Sequence, residues 1–400
     1  MNNFETIPQK IYNVLPPELK DACLYFNDLQ EREAFLMSAL TILGSSLSNY
    51  SGTYNGQNIY PTLQLFTVYH QPLQALQAAT LLSFQLDKEH MRTYNNEKRS
   101  MEADGIKEAP PNWQRLIAVD TNYIHILNML KDKDGLGLLY NTEGKMIPPI
   151  AADEDKTLLL NTAFHNRMLM YHTLVNSQNK CIDNLQLSVW LKGNYKDMQQ
   201  VIPNNKHKLF PGFCYYIIDD KDTPLLNPFS TDNKTIDIIA PLIPYIFKLY
   251  NELVYESNRS FTLNEEKQKL FTKYTEGYTT NQMLIYYRIA MIVTMLQYYE
   301  HFKILSRHKE LSCTEQALAI AYYICEVLNN HHKVVEEYLS NNGVDIPQQN
   351  ITIQLTEEEQ LAATLYEQGM SLRKIAIELY NDEGKFMKVK RMLARIGRAA

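Results

Sequence analysis

The spacing of apolar residues in the first half of the chain changes repeatedly between helical and strand periods. One helix face is predicted by five apolar residues that recur at helical spacing: Phe35, Leu36, Ala39, Leu40 and Leu43. Beyond them, Asn55-Gly56 separates two β-rich runs, which predicts a hairpin, and residues 63–68 form a nearly continuous apolar strand. A strand as apolar as this is typical of a parallel sheet covered on both faces.

Strands and helices continue to alternate up to about residue 225. The elements expected in this part are a helix at 72–99, a strand at 116–119, a helix at 123–130, a strand at 137–140, a helix at 157–166 and strands at 185–191 and 213–218. Strands that alternate with helices predict a mainly parallel sheet with helices packed on it. The expected fold class is therefore α/β.

Beyond residue 225 the strand signals vanish and long helices are predicted. These helices are expected at 233–258, 262–275, 280–303 and 313–340. A linker rich in Asn, Gly, Pro and Gln follows, and a small separate unit ends the chain. The predicted division is a helical segment at 1–50, an α/β core at 51–225, a helical domain at 226–340, a linker at 341–355 and the small unit at 356–400.

The small unit has the pattern of three short helices. Thr356 and Glu359 form a capping box for the first helix, and Gly369 ends it. Ser371 caps the second helix, and the third carries apolar residues at helical spacing, beginning with Phe386. Two short helices joined by a glycine turn, with a third packed against them, are the layout of a helix-turn-helix domain.

The charge of this small unit supports a role in binding nucleic acid. The chain has a formal net charge of -6, which argues against a surface that is basic throughout. From Gly369 onward, however, eight basic residues oppose three acidic ones, a net charge of +5, so the rest of the chain carries -11. The residues predicted to contact DNA or RNA are Arg373, Lys374, Lys385, Lys388, Lys390, Arg391, Arg395 and Arg398. The alternative is a solvated helical face that binds no nucleic acid.

Composition argues against several other classes. The five cysteines are odd in number, widely spread and without a C-x-x-C pair, which fits neither a disulfide framework nor a zinc site and favours the cytoplasm. The N-terminus lacks the pattern of an export signal. The most apolar helical stretch, 289–296, is shorter than the roughly 20 residues that cross a bilayer, so no membrane partner is expected.

Several blocks of sequence, taken in order and spacing, resemble a known family. They are LYFNDLQEREAFLMSALTILGSSLSNYSGTYNGQNIYPTLQLF, LGLLYNTEG, NTAFHNRMLMYH, LSVWLKGNYKDMQQVIP and LFPGFCYYIID, and the likeness continues to about residue 340. In them the chain resembles bacterial mobile-element and phage-associated proteins catalogued as domain of unknown function 3987. The resemblance implies a RecA-like, three-layer P-loop NTPase core with a helical C-terminal part, often beside primase-like modules, acting as a helicase or replication ATPase.

The phosphate-binding loop of that family is missing. Where family members carry a Gly-rich loop ending in Gly-Lys-Ser, this chain reads VYHQPLQAL, so His70, Gln71 and Pro72 join the strand to the helix. In a P-loop, backbone N–H groups cradle the phosphates, the lysine neutralises them and the Ser/Thr holds Mg²⁺. Hydrolysis by the P-loop route is therefore not expected.

Three further positions differ from what the resemblance implies. The family's Glu-Thr-Glu after its second apolar strand is here Asn141-Thr142-Glu143, which leaves Glu143, beside Thr142, as a residual Walker-B-like carboxylate. A polar strand end that resembles Ser-Gly-Thr is Lys192-Gly193-Asn194, and Ser-Arg-Phe, whose arginine could act as a finger, is Pro211-Gly212-Phe213.

Together these features favour a non-catalytic, helicase-like DNA-binding protein of a mobile element that assists replication or mobilisation. No cofactor is expected, although weak binding of ATP and Mg²⁺ stays open. One alternative is a subunit that completes the site of a partner NTPase or primase, with Glu143 or Lys192 acting in trans. Another is a structural adaptor that binds no nucleic acid. A homo-oligomer is compatible with each hypothesis.

Packing explains the isolated histidines and tyrosines more simply than a functional role does. His331 and His332 are adjacent, so on a helix they point about 100° apart, and packing is favoured over metal binding. His165 and His172 are seven residues apart and could share a helix face, but a role in metal binding or catalysis is disfavoured for them. The tyrosines of the helical half could stack bases, although such residues more often line helix interfaces.

Overall fold

The computed structural model describes residues 6–106, 114–142, 146–173, 178–218, 235–254, 258–302, 308–343, 357–367 and 370–395. The chain divides into two units, Met1–Asp345 and Ile346–Ala400. The helices of the first unit are α1 Gln9–Tyr12, α2 Pro17–Leu24, α3 Leu29–Gly44, α4 Gln74–Ala103, α5 Tyr123–Lys131, α6 Glu154–Phe164, α7 Tyr195–Val201, α8 Thr235–Ile239, α9 Leu242–Val254, α10 Glu265–Tyr274, α11 Thr280–Phe302 and α12 Glu315–Asn342.

All strands of the described residues belong to the first unit. They are β1 Tyr50–Tyr54, β2 Gln57–Ile59, β3 Gln64–Val68, β4 Leu116–Ala118, β5 Leu136–Tyr140, β6 Leu169–Thr173, β7 Gln178–Ile182, β8 Gln186–Gly193, β9 Cys214–Ile217, β10 Arg259–Thr262 and β11 Glu310–Ser312. The second unit contains α13 Glu357–Glu367, α14 Leu372–Tyr380 and α15 Phe386–Arg395.

A five-stranded parallel sheet with the order β4-β5-β8-β3-β9 forms the middle of the first unit. Every residue of β3 and of β8 is buried, as expected for strands covered on both faces. The α/β class and the parallel sheet predicted from the alternation of elements are therefore confirmed. The strand β3 lies between β8 and β9 although it precedes both in the chain.

Helices cover the two faces of this sheet. Because successive side chains of a strand point to opposite faces, Leu65 and Trp190 join a core with α3 and α4, and Phe66 and Val189 join a second core. The second core contains buried residues of α5, α6 and α7. The apolar run 63–68 thus packs on both sides, which explains why it shows no alternation.

The helix α12 covers the open edge of β9. The buried His331 on α12 accepts a hydrogen bond at Nδ1 from the Ile217 N–H, with an N···N distance of 3.2 Å. Burial lowers the pKa of His331 to about 3, so its ring is neutral at physiological pH and can act as an acceptor. An edge strand is in this way protected by a helix and a histidine.

Acidification is expected to destabilise the first unit through its buried histidines. Burial lowers the pKa of His90 to about 2, helped by the charges of Arg115 and Lys133, and that of His331 to about 3. Because the unfolded histidines bind protons from about pH 6.5 downward, the free energy of unfolding falls by up to about 1.4 kcal/mol per pH unit for each residue. Glu33 acts in the opposite direction, since burial raises the pKa of its carboxyl.

Urea unfolding between about pH 7 and about pH 5 measures this dependence. His331→Gln keeps an acceptor for the Ile217 N–H and should lower the slope of the unfolding free energy against pH. A free energy that is constant across this interval, or a slope unchanged in the variant, would contradict the expectation.

Two short strands lie in the part of the chain where only helices are predicted. β10 pairs in parallel with β1, and β11 pairs in parallel with β10, to give a four-stranded sheet of order β11-β10-β1-β2. The prediction of no strands beyond residue 225 is therefore wrong. The two strands have four and three residues, too few for a visible alternation, and their partners are distant in the chain.

One of the described hairpins was predicted from the sequence, and another was not. The hairpin at Asn55-Gly56 is confirmed, because β1 and β2 pair antiparallel and both turn residues have positive φ angles, 49° and 74°. A second hairpin, formed by β6 and β7, was not expected from the sequence. Its strands carry polar and apolar residues without regular alternation, which hides them from a pattern search.

The second unit is a three-helix arrangement around a small core. Its buried residues are Ala362, Leu365, Ile375, Ala376, Val389 and Leu393. Ser371 caps α14, as predicted, by accepting from the Lys374 N–H at 3.5 Å, and Asn381 ends that helix with a φ of 51°. Thr356 and Gly369, the predicted cap and turn of the first helix, lie outside the described residues.

Candidate functional site

Ligands of open α/β sheets bind at the carboxyl ends of the strands, where the chain connections diverge to opposite sides. In this sheet that point is beside β3. The chain runs from β3 to β4 at one edge of the sheet, whereas β9 lies on the opposite side of β3. The segments that meet there follow β3 at Tyr69, β5 at Asn141 and β8 at Asn194. The backbone N–H of Tyr69 donates to the carbonyl of Gly193 at 3.0 Å, so two of these ends are joined directly.

Asn141 bridges the ends of β5 and β8. Its Nδ2 donates to the Lys192 carbonyl at 2.7 Å, and its Oδ1 accepts from the Lys192 N–H at 2.9 Å. An ionised glutamate at this place could accept but not donate, so the bridge requires a carboxamide. Thr142 follows as a half-buried residue, and Glu143 lies outside the described residues. The first position of this motif thus makes structural hydrogen bonds.

Lys192, the penultimate residue of β8, is buried beneath α4. Only 2% of its surface is exposed, its Nζ donates to the Thr80 hydroxyl, and the ammonium lies 4.4 Å from the centre of the Trp190 ring. A charge buried this deeply interacts with its immediate neighbours.

A carboxylate of the chain occupies the amino end of α4. The N-cap residue Leu73 provides no side-chain hydrogen bond, but the Ala75 N–H donates to Glu31 Oε2 of α3 at 3.1 Å. Burial raises the pKa of the Glu31 carboxyl, and the hydrogen bond from Ala75 counteracts this shift. Because a helix amino end attracts anions, Glu31 occupies a place where this helix could otherwise bind an anionic group of a ligand. No sequence pattern points to Glu31, because it is 44 residues from Ala75 in the chain.

The fourth altered position lies elsewhere. Pro211 and Gly212 precede β9 and are therefore at its amino end, whereas Asn141, Lys192 and the β3–α4 turn are at carboxyl ends. The structure brings three of the four positions together and separates the fourth from them.

The basic residues of the second unit fall into two groups. Arg373 pairs with Glu383 at 3.3 Å, and Lys388 pairs with Glu358 at 3.7 Å while its Nζ lies 4.2 Å from the centre of the Tyr380 ring. These pairs are exposed to solvent, so each contributes little to stability and can be exchanged for another anion. Lys385 lies 5.4 Å from the centre of the same tyrosine ring.

The second group consists of Lys374, Lys390 and Arg391, which we call the unpaired basic group. All three are exposed, and none has a carboxylate within 4.0 Å among the described residues. Lys374 lies on α14, and the other two lie on α15. The side chain of Arg395 and the whole of Arg398 are outside the described residues. Cations without a protein partner are available to phosphates.

The histidines considered as metal ligands lie in packed positions. The ring of His332 is centred 4.4 Å from that of Phe210, and the ring of His165 is centred 5.0 Å from that of Phe164. The side chain of His172 is outside the described residues. Within the described part of the chain, no three His, Cys, Asp or Glu residues come together to hold a metal. None of the described helices is both long and apolar enough to cross a bilayer.

A scan against protein-family models finds no match to this chain, and a search of curated proteins finds none either. The candidate function therefore rests on the residues of the two regions described above.

Proposed function

We propose that this chain is a non-catalytic, NTPase-like DNA-binding protein of a mobile genetic element. A RecA-like core provides the scaffold, and a C-terminal helix-turn-helix unit contacts the nucleic acid. The observation that carries this proposal is the unpaired basic group, three exposed cations on two packed helices of a chain whose remainder is strongly acidic.

The strand order supports a RecA-like core. When the five parallel strands are numbered along the chain, their order across the sheet is 2-3-4-1-5. RecA-like P-loop proteins have this order, with the phosphate-binding loop between the first strand and the helix that follows it. The corresponding elements here are β3 and α4. This support concerns the scaffold, because a fold by itself does not carry an activity.

Three features of the carboxyl edge support a scaffold that does not hydrolyse nucleotide. The β3–α4 turn has no glycine and no lysine. Asn141 is engaged in structural hydrogen bonds, and Lys192 is buried. Glu31 already occupies the amino end of α4. A phosphate would have to displace this carboxylate and would then lack a counter-charge.

The competing function is weak nucleotide binding, alone or with a partner NTPase or primase. It requires that ATP and Mg²⁺ stabilise the protein, by about 2.7 kcal/mol when the ligand is at 100 times its dissociation constant. We expect no shift of the melting temperature in millimolar ATP and Mg²⁺. A saturable upward shift would favour the competing function.

Truncation tests the nucleic-acid part of the proposal. We expect the full chain to bind duplex DNA with an affinity that falls steeply between about 50 and about 200 mM salt. A chain that ends at Asp345, the last residue of the first unit, should bind at least about tenfold more weakly at the lower salt concentration. Fluorescence anisotropy with duplex DNA, single-stranded DNA and RNA also identifies the preferred nucleic acid.

Equally weak binding by both forms would contradict the proposal. The adaptor hypothesis would then be favoured, with the basic helices contacting an acidic protein.

A further inference from the structure

A groove of about 620 Å³ lies on the four-stranded sheet of the first unit, between β1, β10 and α10. It belongs to a different sheet from the carboxyl edge described above. Its volume is within the range of small-molecule sites, which is about 300–1,000 Å³. No step of the proposed function uses it.

The floor of the groove is aromatic. The half-buried Tyr54 ring is centred 5.1 Å from the Tyr287 ring and 6.2 Å from the Phe271 ring. Phe261 and Tyr287 pack edge to face, with ring centres 5.1 Å apart. Phe261, Phe271 and Tyr287 are buried, so Tyr54 is the floor residue with the most accessible ring.

Gly52 keeps this floor in place. The Tyr287 hydroxyl donates to the Thr53 carbonyl at 3.1 Å and passes directly over Gly52. A Cβ at residue 52 would collide with that hydroxyl and also come within 3.1 Å of the Phe261 ring. The close approach of the ring to the strand therefore depends on glycine.

The rim of the groove is polar but carries no charge. Among the described residues that line it, none is Asp, Glu, Lys or Arg. Carboxamides are supplied by Asn55 and Asn58, both exposed, and by Gln268. The Gln268 Nε2 donates to the Leu263 carbonyl at 2.8 Å, which directs its Oε1 as an acceptor. Each carboxamide can donate and accept, which complements a ligand edge with both kinds of group.

We propose that this groove binds an uncharged nucleobase, which stacks on Tyr54 and presents its edge to Asn58 and Gln268. Aromatic rings stack with every base, and Asn and Gln carboxamides match the paired donors and acceptors of base edges. The absence of cations from the lining argues against recognition of a phosphate at this place. Carboxylates, which can accept hydrogen bonds from several sugar hydroxyls at once, are absent from the described lining, and this argues against a sugar as the ligand.

Titration of the full chain with the four ribonucleosides, which carry no phosphate, tests the proposal. Isothermal titration calorimetry should give saturable binding whose affinity is the same in low and high salt, because the ligands are neutral. Salt independence separates this site from the basic helices of the second unit, where phosphate binding depends on salt. Glucose should not bind.

Variants of Tyr54 locate the site. Tyr54→Ala should weaken nucleoside binding at least about fivefold, and Tyr54→Phe should preserve it, since stacking requires the ring and not the hydroxyl. Tyr25→Ala, which removes an exposed tyrosine at the end of α2, is the matched control and should bind as the parent chain does. Asn58→Ala alters an exposed rim residue, so it reports on binding even if Tyr54→Ala fails to fold.

Three results would overturn the proposal. They are the absence of saturable binding by any nucleoside, unchanged affinity in both Tyr54→Ala and Asn58→Ala, and binding of glucose in preference to nucleosides.

Discussion

Replacement of Lys390 and Arg391 by alanine is expected to weaken DNA binding at least about tenfold at low salt, without changing the stability of the fold. Both side chains are exposed on α15 and lack a carboxylate partner among the described residues, so no folded-state contact is lost. Each phosphate contact that disappears should lower the slope of log affinity against log salt by about 1, hence by about 2 for the pair.

The matched control removes the same charge from the first unit. Lys269 and Lys273 are also exposed on a helix, α10, and Lys269→Ala with Lys273→Ala changes the net charge equally. If both double variants lost affinity to the same extent, binding would reflect net charge alone and α15 would not be the contact surface. Fluorescence anisotropy at several salt concentrations provides both the affinity and the slope.

Asn166→Ala is expected to have the largest effect on stability, a loss of about 3–5 kcal/mol in the free energy of unfolding. The side chain joins four separate segments. Its Oδ1 accepts from the Tyr60 N–H at 3.1 Å and from Arg288 Nη2 at 2.8 Å, and its Nδ2 donates to the Leu185 carbonyl at 2.8 Å and to the Thr62 hydroxyl at 3.2 Å.

The cost is large because Arg288 is buried. Only 1% of Arg288 is exposed, and although burial lowers its pKa to about 9, the guanidinium stays charged at neutral pH. Its other acceptor is the Phe164 carbonyl, so removal of Asn166 Oδ1 leaves a buried cation with fewer partners. The left-handed backbone of residue 166, with a φ of 48°, adds strain when alanine replaces asparagine.

Asn166→Gly separates the two contributions, since glycine relieves the backbone strain but restores no hydrogen bond. It should be about 1 kcal/mol less destabilising than Asn166→Ala. Chemical denaturation of the two variants measures the difference. A loss below about 1 kcal/mol in Asn166→Ala would show that the network contributes little.

The parallel sheet was predictable because its strands are apolar runs that alternate with helices along the chain. The pairing of β10 with β1 was not, since β10 has only four residues, Arg259–Thr262, of which Phe261 alone is apolar. Contacts between distant residues also limit what can be predicted at the carboxyl ends of the parallel strands. The missing phosphate loop can be recognised from the residues His70-Gln71-Pro72 alone. The contact of Glu31 with Ala75 cannot, because it depends on how α3 packs beside α4.

The basic residues of the second unit show a similar division. Their number and position follow from the sequence, because charge can be counted along a chain. Which of them are paired does not follow, since Lys388 meets Glu358 only when α13 and α15 pack together. The distinction between the paired cations and the unpaired basic group is thus a product of the tertiary structure.

The histidine that covers β9 also limits how copies of this chain can associate. A sheet grows into a neighbouring molecule when the N–H and C=O groups of an edge strand are open to a second strand. At β9 that approach is blocked by α12, and the Ile217 N–H is already bonded to His331. A ring or filament of this protein could not form by continuing its parallel sheet at β9. Assembly by continuation of the parallel sheet would have to use the β4 edge.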